Sequence, residues 1–145
     1  MKRTIALSVA FFLALTCITF SCKQKENIET ILTRLLHNWK LVKIATDDNG
    51  NGVIDAAEVH PLSNGADDEI VFNKDYTGLQ TVIAANGATE SYHFTWSLDT
   101  HDTVTRVGLG YNLIKYHIEN ISSTSLELLT MTDQNILSAY YYTRK

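Results

Sequence analysis

Both cysteines of the 145-residue chain, Cys17 and Cys22, lie ahead of residue 23. The rest of the chain therefore has no disulfide and must draw its stability from a core or a bound metal. Basic residues are few and scattered. Residues 22–145 hold ten Lys and Arg against sixteen Asp and Glu, a net charge of about −6 with histidine neutral. Nucleic acid is excluded as a partner, because its recognition requires a positive stripe. No two of the five histidines stand at metal-ligand spacing, and no G-x-S-x-G supports a hydrolase. The reading is of a protein that is not an enzyme. His93 and His117 fall on predicted outer strand faces, and His101 sits in a polar turn between Asp99 and Asp102.

One long apolar run is present, Ile5–Phe20, preceded by Lys2 and Arg3 and followed by Ser21-Cys22. It falls short of the roughly 20 residues a spanning helix needs, so it reads as an export signal, with a retained anchor as the alternative. A small residue followed by cysteine at the end of such a run resembles a bacterial lipoprotein signal. That resemblance implies removal of residues 1–21 and acylation of Cys22, with Cys17 as the rival position. It places the chain in the cell envelope, held by a lipid anchor in the outer membrane. Residues 22–27 are then a polar tether and residues 28–145 one domain, long enough for a sizeable core.

Asp47–Glu58 reads D-D-N-G-N-G-V-I-D-A-A-E. It resembles a twelve-residue EF-hand calcium loop, with Asp47, Asn49, Asn51, Val53 (through its carbonyl), Asp55 and Glu58 at the ligand positions. Gly52 occupies the sharp-turn position, where positive φ is required. Ca²⁺ takes six to eight oxygens, and alternate residues of a curled loop all reach one centre. An Asx-rich turn is the alternative reading of the same residues. Pro61, the only proline, limits any helix leaving the loop to a single turn. A lone site of this modest charge is expected to bind weakly, on the order of 10⁻⁴–10⁻³ M, which suits a structural ion in a calcium-rich compartment.

Ile28, Ile31, Leu32, Leu35 and Leu36 repeat at helical spacing and predict a short helix over Glu26–His37. Eight strands follow: Trp39–Ala45, Asp68–Asn73, Tyr76–Ala84, Glu90–Asp99, Thr103–Val107, Tyr111–Glu119, Leu126–Met131 and Ile136–Arg144. Asn86-Gly87 is a hairpin turn signal. Asp67-Asp68-Glu69, Lys74-Asp75 and Glu119 read as solvated charge. Short links favour up-and-down antiparallel order, and eight such strands close into a small barrel, with an open sandwich as the alternative. Of Tyr140, Tyr141 and Tyr142, at least one must face outward.

A lipoprotein signal, a short helix, a strand opening on Trp39 and eight strands resemble the lipocalin-like lipoproteins of Bacteroidetes-type bacteria. His37 stands where lipocalins carry the glycine of their opening Gly-x-Trp. The resemblance implies an all-β, eight-stranded antiparallel calycin/lipocalin-like barrel that holds a small apolar ligand. Tyr92, Phe94, Trp96 and Tyr116, on predicted inner faces, are the candidate ligand-binding residues; filling the barrel interior is their other role. A filled barrel would instead make this an interaction lipoprotein serving another envelope protein.

Overall fold

The computed structural model describes residues 27–62, 66–108 and 113–145. The signal run and Cys22 lie outside the described residues. Helix α1 covers Ile28–Leu35. Strands follow at Asn38–Thr46 (β1), Val59–Pro61 (β2), Asp67–Phe72 (β3), Thr77–Ile83 (β4), Thr89–Leu98 (β5), Thr103–Gly108 (β6), Leu113–Ile121 (β7), Ser125–Met131 (β8) and Leu137–Arg144 (β9). Neighbours pair antiparallel in chain order from β3 to β9. β1 bonds to β3 through Asn38–Lys40 and to β9 from Trp39↔Arg144 to Thr46↔Ser138. Eight strands thus close into a barrel.

β2 is a short ninth strand that the sequence reading missed. It pairs with the far end of β1, Lys43–Ala45, along the same edge that β3 occupies at the near end. The helix leaving the loop, limited by Pro61 to a single turn, is a 3₁₀ turn at Ala56–Glu58. Pro61 does not end a helix here. It closes a strand whose other edge has no strand partner among the described residues, a position where a missing N–H costs no ladder bond.

α1 stops at Leu35, short of the predicted end at His37, where the chain turns into β1. Asn27 caps it, its Oδ1 accepting from Glu29 N at 3.1 Å. Its buried face, Ile31 and Leu35, covers one end of the barrel. Trp39 Nε1 donates to Leu35 O at 3.0 Å, and Arg34 Nη1 donates to Ile121 O at 3.0 Å. Beneath the helix the barrel is filled. Phe72 meets Phe94 and Trp96 edge-on, with ring centroids 5.7 and 5.4 Å apart. Leu41, Ile70, Val104, Leu126 and Leu128 complete this packed half. The opposite half, toward the β4–β5 and β8–β9 turns, holds polar side chains.

Candidate functional site: the polar half of the barrel

Period-2 alternation turns Asp68, Ile70 and Phe72 of β3 inward together, and does the same for Val104 and Arg106 of β6. Arg106 is consequently 8% exposed. Its Nη2 donates to Gln80 Oε1 at 2.5 Å. Gln80 Nε2 in turn donates to both carboxylate oxygens of Asp68, at 3.0 and 2.8 Å. The guanidinium also lies 4.2 Å from the centroid of the Phe94 ring, a cation–π stack. Phe94 takes this position because Gly78 faces it. A Cβ at residue 78 would overlap the ring and come within 2.7 Å of Val71 O.

Three tyrosines border the same space. Tyr116 and Tyr140 meet edge-on at 5.9 Å, and Tyr142 lies deeper. Burial pushes all three hydroxyls above the ordinary tyrosine range, Tyr142 well above it. Arg106 opposes the rise at Tyr116 through its charge and a hydrogen bond. Burial also raises the Asp68 carboxyl, against the hydrogen bond from Gln80 and the charge of Arg106.

β7 and β8 separate as they leave the packed half. Their ladder runs from Ile121↔Leu126 to His117↔Leu129 and goes no further. Beyond it Thr130 Oγ1 bonds to Lys115 O at 2.7 Å. A cleft of about 940 Å³ opens there, lined on its inner side by Ile114, Tyr116, Thr130 and Tyr140 and on its outer side by residues including Leu113 and Met131. Leu113 and Met131 are exposed, at 58% and 57%.

Of the expected ligand-binding residues, Phe94, Trp96 and Tyr116 are buried inside the barrel, and Tyr116 lines the cleft. Phe94 and Trp96 belong to the packed half. Tyr92 shares their strand face, but near the rim, where it is 46% exposed and its hydroxyl bonds Glu90. Asp68, expected in solvated charge, is instead half-buried and faces the interior. Arg106, Gln80 and Tyr140 were missed as site residues; period-2 parity with Val104 and with Tyr142 turns Arg106 and Tyr140 inward. His93 and His117 are exposed, and Tyr141 turns away from the interior that Tyr140 and Tyr142 share.

Asp47–Glu58 closes over the barrel edge after β1. Asp47 and Glu58 are buried. Asp47 accepts from Asn51 N and Gly52 N at 3.1 and 2.8 Å. Glu58 accepts from Asp48 N, Asn49 N and Asp55 N. Gly52 has φ +80°. The amide nitrogens of Asn49 and Asn51 both point at Asp55 Oδ2, 3.2 Å away. Val53 is 60% exposed. Among the described residues, no three His, Cys, Asp or Glu side chains converge as a metal cluster.

The strands form a closed eight-stranded barrel, plugged by a helix at one end, with a cleft beside Tyr116 between β7 and β8. A lipocalin-like domain is matched over residues 35–128. The chain belongs to the lipocalin-like domain family. Lipocalin-like proteins typically bind small hydrophobic molecules rather than catalyse reactions. A crystal structure of a lipocalin-like protein from Bacteroides uniformis is similar, with TM-score 0.55 and 12% identity over 77% of this chain and 99% of that one. A second similar structure, of an uncharacterized protein from Bacteroides eggerthii, has TM-score 0.52 and 10% identity over the same shares. At such identities the likeness is one of fold. No curated protein matches the lipocalin-like chain by sequence.

Proposed function

We propose that this lipocalin-like domain is a lipid-anchored binding module of the cell envelope, which takes a small apolar ligand between β7 and β8. The observation that carries the reading is the cleft of about 940 Å³, which reaches from exposed Leu113 and Met131 to the inner tyrosines. That volume falls within the ordinary range of small-molecule pockets. The packed half, with Phe94 and Trp96, supports the fold beneath it, and Tyr116 and Tyr140 line the cleft. The filled interior around Phe72 favours a second reading, an interaction lipoprotein whose barrel holds no small molecule.

In this proposal Asp47–Glu58 holds one structural Ca²⁺. The side-chain oxygens of Asn49 and Asn51 accept from Asn51 N and Val53 N at 2.9 and 2.8 Å, so a bound cation would draw these oxygens and the Val53 carbonyl toward itself, beside Asp47, Asp55 and Glu58. Cys22 carries the anchor, and Cys22→Ser is expected to move the protein out of the membrane fraction. Lipid labelling that persists in that variant would shift the anchor to Cys17.

Native mass spectrometry of the protein purified without chelator tests both bound species. An organic mass and one calcium, the latter lost on chelation, are expected. Calcium with no organic mass would favour the filled-barrel reading. No calcium, even after its addition, would leave Asp47–Glu58 as a turn.

A further inference from the structure

β7 and β8 both run on past His117↔Leu129, the last rung of their shared ladder. On their other edges the pairing continues. β6 follows β7 as far as Val107↔Leu113, and β9 follows β8 as far as Met131↔Leu137. Each strand therefore ends with one edge paired and the other facing the cleft. Backbone parity tells which groups face it. Ile118 N donates to Asp102 O on the β6 side, so Ile118, Tyr116 and Ile114 turn their N–H and C=O toward β6, and Lys115 and Leu113 turn theirs into the cleft. The Thr130 hydroxyl agrees, since it donates to Lys115 O at 2.7 Å. Thr132 N donates to Ile136 O on the β9 side, so Thr132 and Thr130 face β9 and Met131 faces the cleft. The N–H of Lys115 and both backbone groups of Leu113 and Met131 have no ladder partner among the described residues.

We propose that the cleft takes an extended peptide, which adds to these two edges as a short β-strand. The inference rests on the reading that the cleft holds a small apolar ligand, and it names the class of that ligand. Groups on one edge of a strand recur at every second residue, about 6.6 Å apart, and a second extended backbone meets them in register. A plain hydrocarbon would cover them and leave their hydrogen bonds unmade. The side chains of a guest strand alternate in direction, and the cleft offers apolar surface on both sides. Ile114, Tyr116 and Tyr140 lie on the inner side, and Leu113 and Met131 on the outer. The main chain thus supplies the hydrogen bonds, and apolar or β-branched side chains fill the two faces.

The test is fluorescence titration of the full protein with the neutral apolar dye N-phenyl-1-naphthylamine, followed by displacement with a capped hexapeptide of alternating valine and threonine. A second peptide is the same sequence N-methylated at every residue, which keeps the side chains and removes every N–H. The dye is expected to bind and the first peptide to displace it. The methylated peptide is expected to be at least about tenfold weaker, the scale of two hydrogen bonds. Met131→Pro, which removes one N–H that faces the cleft, is expected to weaken the first peptide severalfold, whereas Met131→Leu, which keeps it, retains binding. If Met131→Pro does not fold, the two peptides decide the matter on the natural protein. Dye binding with no displacement, or equal affinity for the two peptides, would overturn strand addition and leave the apolar-ligand reading intact. Equal peptide affinity in the proline and leucine variants would overturn the role of the β8 edge. A dimer in sedimentation that excludes the peptide would assign the edges to a second copy of the chain instead. Binding of neither dye nor peptide would remove the apolar-ligand reading and this inference with it.

Discussion

A methyl group at residue 78 would claim volume that the Phe94 ring already fills. Gly78 is selected here by space rather than by backbone angle, and the consequence reaches beyond its own strand. Phe94 lies against Gly78 of β4, and Arg106 stacks on the Phe94 ring. Gly78→Ala is expected to destabilise the protein by about 1–3 kcal/mol, the cost of overpacking a filled core. Urea denaturation would register it as a lower midpoint; an unchanged midpoint would mean that the ring has room to retreat. None of this was visible in the string of residues, where Gly78 is one glycine in a strand. Gly52 differs, because its place in a twelve-residue pattern predicted a positive φ, and +80° is found. Arg106 lies between these cases. Its parity with Val104 directs it inward, but a lone arginine in a strand gives no sign of which groups it will meet.

At the scale of elements, α1 acts as a plug. Leu35 is fully buried, and its carbonyl receives the Trp39 indole, so the helix end and the start of β1 are fastened together. Leu35→Ala is expected to cost about 2–5 kcal/mol, since the rigid strands around it leave a cavity little chance to collapse. Urea denaturation of the variant measures this, and a loss below about 1 kcal/mol would mean that the helix is only loosely seated. The helix and the eight barrel strands were legible because their periods, 3.6 and 2, extend over enough residues to be counted. β2 was not. Three residues ending in Pro61 display no period, and their pairing with Lys43–Ala45 exists only once the loop has folded back along β1. The gap between β7 and β8 was hidden for a similar reason: both strands keep their alternation past the point where the ladder ends.

For the molecule as a whole, the polar half sets an acid-range pH dependence. Burial raises the Asp68 carboxyl, so the folded state holds that proton more tightly than the unfolded chain does. Stability from this group is present at low pH and lost as pH rises from the ordinary carboxylate value through the raised one. Asp75 and Asp99 act oppositely. Hydrogen bonds from Thr77, and from Thr103 and His101, hold their carboxyls low, so their contribution is lost as pH falls. Asp68→Asn isolates the first effect. Its stability relative to the natural protein is expected to increase as pH rises from about 4 to 6, as urea midpoints across that window would record. A relative stability that fell over the same window would mean that Gln80 and Arg106 outweigh burial. The sequence by itself determined the class of the domain, because strand alternation, turn residues and a helical stripe are local properties that any chain of this pattern must satisfy. It also determined which side chains could face inward. Only the tertiary structure decided that Trp96, Phe94 and Phe72 fill one half of the barrel while Asp68, Gln80 and Arg106 join across the other. The contacts of Phe72 with Phe94 and Trp96, and of Gln80 with Arg106, skip over an intervening strand, and their distances depend on the register and closure of the whole sheet.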